Sequence, residues 1–152
     1  MKYRIFAAMV AVITFAGAGL AMTASPARAA SSFHICLLNA RSLCLQSNGP
    51  GNQVTLTSGS SADFTVVNTA PDGENTRYQF ENGSGNCLRA GDGGVVKIEN
   101  GPCSGDADWW LAAASSLISY KYGDSILTHS AASGDNVWHE AFRSGDWNQW
   151  SW

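Results

Sequence analysis

Four cysteines, three histidines and six tryptophans are the side chains here with the most chemistry to offer, and their spacing narrows what that chemistry is. Cys36, Cys44, Cys87 and Cys103 form no C-x-x-C pair, and His34, His129 and His139 are scattered. Zinc ligands come as closely spaced pairs, so no metal site and no cofactor are expected. No G-x-S-x-G elbow presents a serine nucleophile; Gly83-Ser84-Gly85 reads as a turn. The chain is not expected to be an enzyme. Its densest group of ligand-binding residue types lies near the C-terminus, where Trp138, His139, Glu140, Asp146, Trp147, Asn148 and Gln149 follow Asp135 and Asn136. Sugars offer C–H faces that pack on aromatic rings and hydroxyls that need fixed donors and acceptors. Trp138, Asp146, Trp147, Asn148 and Gln149 are therefore the candidate carbohydrate-binding residues.

The elements that must position these residues begin after an export signal. Lys2 and Arg4 precede an apolar run from Ile5 to Met22, and Ala27-Arg28-Ala29 supplies a small-x-small end. This is the pattern of a secretory signal peptide over residues 1–29, cleaved after Ala29 and bacterial in character. The run is long enough to span a bilayer, but the Ala-x-Ala end marks cleavage, and no later apolar stretch could span. The folded domain is then residues 30–152, secreted and extracellular, and expected to be a monomer.

Removing the signal takes away Lys2, Arg4 and Arg28 but no acid, so the formal charge moves from −3 to −6. Nucleic acid and anionic membrane surfaces become poor partners, because both need a basic face. Export also places the four cysteines in an oxidising compartment, where an even count reads as two disulfides rather than reactive thiolates. Four cysteines allow three connectivities.

Repetition organises the rest. Cys44-Leu45 and Cys87-Leu88 lie 43 residues apart, and Ile126-Leu127 follows 39 further on. Downstream of each comes a short alternation: Val54-Thr55-Leu56, Val96-Lys97-Ile98 and Val137-Trp138-His139. Each copy then has an aromatic after a polar residue, in Asp63-Phe64, Asp108-Trp109 and Gln149-Trp150, which makes Phe64, Trp109 and Trp150 the expected core. Upstream stand Ile35/Leu37, Tyr78/Phe80 and Ile118/Tyr120. Period-2 alternation between Asp-Gly and Asn-Gly turns predicts short half-buried strands, and no stretch has convincing helical periodicity. Each copy is too small to bury its own apolar face, so three must share one core.

Three units of about forty residues, each opening near Cys-Leu and closing near a Gln-x-Trp-like signal, resemble ricin-B-type β-trefoil lectin domains. The resemblance covers essentially all of residues 30–152. It implies an all-β fold, a β-trefoil of three repeats with two disulfides. The stretch from Cys87-Leu88 to Pro102-Cys103 matches best and implies Cys87–Cys103, with Cys36–Cys44 as the other pair. In that family a sugar is held by an Asp two residues after the Cys, an aromatic after the alternating strand, and an Asn or Gln near the repeat's end. Here Gln46, Arg89 and Thr128 stand at the Asp position, and Thr57, Glu99 and Glu140 at the aromatic one. No repeat keeps the whole family site.

The function expected is a secreted module that binds a neutral glycan or polysaccharide by stacking and hydrogen bonds. The alternatives are a protein-binding or protease-inhibitory trefoil with a secreted protein partner, and a structural trefoil that has lost sugar binding.

Overall fold

The computed structural model describes residues 31–59 and 61–152. The expected signal peptide over residues 1–29 and its expected cleavage point fall outside the described residues.

Twelve strands follow one another in three sets of four. The first set is β1 (Cys36–Leu37), β2 (Ala40–Gln46), β3 (Thr55–Thr57) and β4 (Phe64–Asp72). The second is β5 (Asn75–Asn82), β6 (Cys87–Ala90), β7 (Val96–Glu99) and β8 (Trp110–Ala113). The third is β9 (Ser116–Ser119), β10 (Ser125–Leu127), β11 (Trp138–Glu140) and β12 (Trp150–Ser151). Only two short 3-10 turns, Asp92–Gly94 and Asp106–Asp108, interrupt the strands among the described residues.

The outer strands of the three sets close a six-membered barrel, which leaves few open edges. β12 pairs with β1, β4 with β5, β5 with β8 and β8 with β9, all antiparallel. Two backbone links finish the ring. Phe33 and Phe64 exchange hydrogen bonds of 2.9 and 2.8 Å, and the Trp150 N–H donates to the Ser115 carbonyl at 2.7 Å. Turn chemistry shapes the rim. Gly73 bends the β4–β5 hairpin at φ 59°, and Ala114 takes φ 53° in the β8–β9 hairpin.

The inner hairpins β2–β3, β6–β7 and β10–β11 cap the barrel and meet around a pseudo-three-fold centre. The Val54 N–H donates to the Val96 carbonyl at 2.8 Å, Val96 to Val137 at 3.3 Å, and Val137 back to Val54 at 2.9 Å. All three valines are fully buried. No hairpin could satisfy this ring alone, so the repeats are interdependent.

The largest core side chains are Trp110, Trp150, Phe64 and Phe80. The expectation for Trp109 is corrected by one residue: Trp110 points inward and Trp109 lies half-exposed on the outer face, since neighbours on a strand face opposite ways. The indole N–H of Trp110 donates to the Leu88 carbonyl at 2.9 Å, and that of Trp150 to the Ile126 carbonyl at 2.9 Å. Phe64 has no such donor, and the equivalent Leu45 carbonyl accepts from the Ala62 N–H instead.

These bonds also correct the third repeat's register. Leu88 pairs with Ile98 and Ile126 with His139, so Ile126, not Leu127, is the counterpart of Leu88, and Ser125 stands where the cysteines do. The Asp position of the lectin pattern therefore falls on Leu127 rather than Thr128. The β9 phase shifts in the same way. Leu117 and Ser119 are buried, while Ile118 is half-exposed and Tyr120 exposed.

The two disulfides are Cys36–Cys44 and Cys87–Cys103. No helix among the described residues is long and apolar enough to cross a membrane.

Candidate binding site

Three clefts lie on the surface beside the capping hairpins, one at each repeat's second strand, and they differ sharply in chemistry.

The third-repeat cleft is built by β10, β11 and the loop between them. It encloses about 190 Å³, and Thr128, His129, Ser130, Asp135, Asn136 and Trp138 line it. Asp135 is held in place by four hydrogen bonds. Its backbone N–H donates to the Ala132 carbonyl at 3.2 Å, and its carbonyl accepts from the Leu56 N–H at 2.8 Å. Its carboxylate Oδ2 accepts from the Ala132 N–H at 3.0 Å and from the Ser130 hydroxyl. Both carboxylate bonds fall on Oδ2, and Oδ1 takes neither of them. Trp138 follows the buried Val137, so alternation turns its indole outward, half-exposed, against the cleft. The ring and the fixed carboxylate are the pairing a sugar needs: a flat apolar face beside a polar group held in place.

His129 ties the cleft to the following loop. Its Nε2 lies 2.8 Å from Glu140 Oε1 and its Nδ1 3.1 Å from Asp146 Oδ1. Only an imidazolium can donate to both carboxylates at once. The ring centre is 6.3 Å from that of Trp138. The His129 bond holds the Asp146 carboxyl below its usual value, outweighing the opposing effect of burial, and the Arg143 N–H assists at 2.8 Å. Thr128 and Trp147 exchange backbone hydrogen bonds of 3.0 and 2.9 Å, closing the loop onto β10.

The five residues singled out from sequence are thus divided. Trp138 lines the cleft, and Asp146 reaches it through His129. Trp147 packs its side chain against the core. The Asn148 carbonyl accepts from the Ser116 hydroxyl at 3.2 Å, and Gln149 accepts from the Asn39 amide at 3.2 Å, both at the barrel seam away from the cleft. His129 was missed. Its position ten residues before His139, within a strand-loop-strand segment, gave no periodic signal.

The second-repeat cleft, about 210 Å³, is lined by Arg89, Asp92, Lys97, Glu99, Lys121 and Tyr122 together with small residues. Its charges are largely satisfied internally. Lys97 lies 3.0 Å from Glu99, and Arg89 lies 3.4 Å from Asp108, whose side chain is buried. The Tyr122 hydroxyl donates to Asp92 at 2.5 Å, which holds that carboxyl below its usual value, with Lys121 adding to the effect. Asp108 also accepts the backbone N–H groups of Ser104 and Gly105, at 2.8 and 2.9 Å, as expected for a turn aspartate.

The first-repeat cleft is larger, about 370 Å³, and polar, with Gln46, Ser47, Asp63, Asn82 and Asn86 but no aromatic ring. Nearby, the Ser61 hydroxyl lies 2.6 Å from His34 Nδ1, and His34 Nε2 lies 3.6 Å from Asp63. The His34 and Asp63 side chains are more than half exposed, so water competes for every contact that would activate the serine. Cys87, Cys103 and Asp108 lie close together, but both sulfurs are spent in the disulfide.

This fold is that of a β-trefoil, and solved structures agree. The chain is similar to a designed 3-fold symmetric protein, ThreeFoil, with a TM-score of 0.64 and 20% identity over 78% of this chain and 95% of that one. It is also similar to the Haemophilus ducreyi cytolethal distending toxin, with a TM-score of 0.58 and 15% identity over 78% of this chain and 80% of that one. At these identities the likeness shows the fold alone, so it supports a β-trefoil without reaching the ricin-B-type family. No protein-family model and no curated relative matches the chain.

Proposed function

We propose that the protein is a secreted, lectin-like module that binds a glycan without negative charge in its third-repeat cleft. The observation that carries this reading is the outward indole of Trp138 beside the rigidly held Asp135. A pyranose stacked on the indole would place its hydroxyls against Asp135 Oδ1 and the Asn136 amide. The small volume suits one sugar ring rather than a long chain, so affinity per site is expected to be weak. No chemistry is required of the site; binding is the whole activity. Two disulfides accord with a protein that works outside the cell.

The test is retention on immobilised polysaccharides and a glycan array. Trp138→Ala should remove binding while leaving the unfolding midpoint nearly unchanged, because the indole is half-exposed. Undiminished retention of Trp138→Ala would sink the proposal.

A further inference from the structure

The sign of the charge around the third-repeat cleft says more about its ligand. Asp135, Glu140 and Asp146 bring three carboxylates to this corner of the molecule. Against them stand His129, clasped between Glu140 and Asp146, and Arg143, 3.9 Å from Glu140. His129 lines the cleft but has both ring nitrogens engaged with Glu140 and Asp146, and Arg143 lies outside the lining. Asp135 has no cationic partner among the described residues. Its contacts there are the Ala132 N–H, the Ser130 hydroxyl and its own backbone bonds. The cleft thus offers a fixed, uncompensated carboxylate oxygen next to an aromatic face. An ammonium group suits both: it forms a charge-assisted hydrogen bond with the one and a cation–π contact with the other.

Resting on the glycan-binding reading above, we infer that this cleft selects sugars bearing a free primary amine, of the glucosamine type, over their N-acetylated and uronic-acid counterparts. N-acetylation removes the charge and adds bulk to a small cleft. A uronate would bring a second carboxylate against Asp135, with no free cation lining the cleft to receive it.

Binding should be measured calorimetrically with the intact protein against three short oligomers, of glucosamine, of N-acetylglucosamine and of galacturonate, at low and raised salt below neutral pH. The glucosamine oligomer should bind about tenfold tighter than the N-acetylated one, and only its binding should weaken with salt. Asp135→Asn keeps an acceptor for the Ala132 N–H and the Ser130 hydroxyl, so the loop holds. This variant should abolish the amine preference, so that the two oligomers bind alike and neither binding depends on salt. Equal or tighter binding of the acetylated oligomer, or an amine preference that survives Asp135→Asn, would overturn the inference while the glycan reading stands. Failure of all three oligomers and of the wider glycan array would overturn both.

Discussion

The second and third repeats share strands, cap and buried indole, yet they treat the surface beside the cap in opposite ways. In the second, Lys97 meets Glu99, Arg89 meets Asp108 and Tyr122 meets Asp92, so the cleft answers most of its own charges. In the third, the ion pairs gather around His129 at the rim, and the cleft keeps an indole face and one carboxylate oxygen free. The repeats also differ in what secures them. Cys87–Cys103 ties the second covalently, whereas Ser125 stands at the cysteine position in the third. A three-fold fold can therefore keep its core equivalent and still specialise one lobe, because core positions are fixed by packing while surface positions are not.

The sharpest way to break this contrast is to cut the covalent tie. Replacing Cys87 and Cys103 together by serine opens a loop with a sequence separation of 16. The cost is expected to be about 3 kcal/mol, read as a lower midpoint in urea unfolding. Glycan affinity under native conditions should not change, because the site belongs to the third repeat. An altered affinity would mean that the two lobes are coupled and the division drawn above is wrong.

A smaller change asks whether the cores are as alike as they look. Trp110→Phe and Trp150→Phe each delete an indole donor and leave a buried carbonyl, of Leu88 or Ile126, without its partner. Each should cost about 2 kcal/mol, and the two costs should agree. The first repeat shows how the loss can be made good, since there Phe64 is accompanied by the Ala62 N–H on the Leu45 carbonyl. Unequal losses in chemical denaturation would show that the repeats' cores are not interchangeable.

What was legible in the sequence follows the same line. The valines at 54, 96 and 137 stood out because all three hairpins need an apolar residue at the pseudo-three-fold centre. The strand alternation, the turns and the three-fold step were readable for the same reason: every copy obeys the same packing. Register was harder. Trp109 and Trp110 are both aromatic, and Ile118 and Tyr120 on the outside alternate as convincingly as Leu117 and Ser119 on the inside. A one-residue slip exchanges the two faces, and composition alone cannot choose between them. The site was legible only where alternation reached it, which is why Trp138 was found. Asp135 gains its significance from hydrogen bonds made by an irregular loop and by Leu56 of β3, and His129 from carboxylates on β11 and in the loop after it. Neither relation has a period.

The most delicate difference lies in two carboxylates, one lining the second-repeat cleft and one behind His129 at the third. Asp92 and Asp146 are both held below their usual value of 3.8, the first chiefly by the neutral hydroxyl of Tyr122, the second chiefly by the imidazole of His129. A lowered pKa in the folded state means that each group stabilises the fold fully above its unfolded value. That contribution fades as the pH falls through the lower folded value, so both clefts should loosen only in strong acid. Removing the partner should separate the cases. Tyr122→Phe should raise the midpoint of Asp92 toward 3.8 and leave Asp146 alone; His129→Ala should do the reverse, as read by NMR titration of the two side-chain carboxyls. A midpoint of Asp92 that Tyr122→Phe leaves in place, or of Asp146 that His129→Ala leaves in place, would mean that the contact removed is not what holds that carboxyl down.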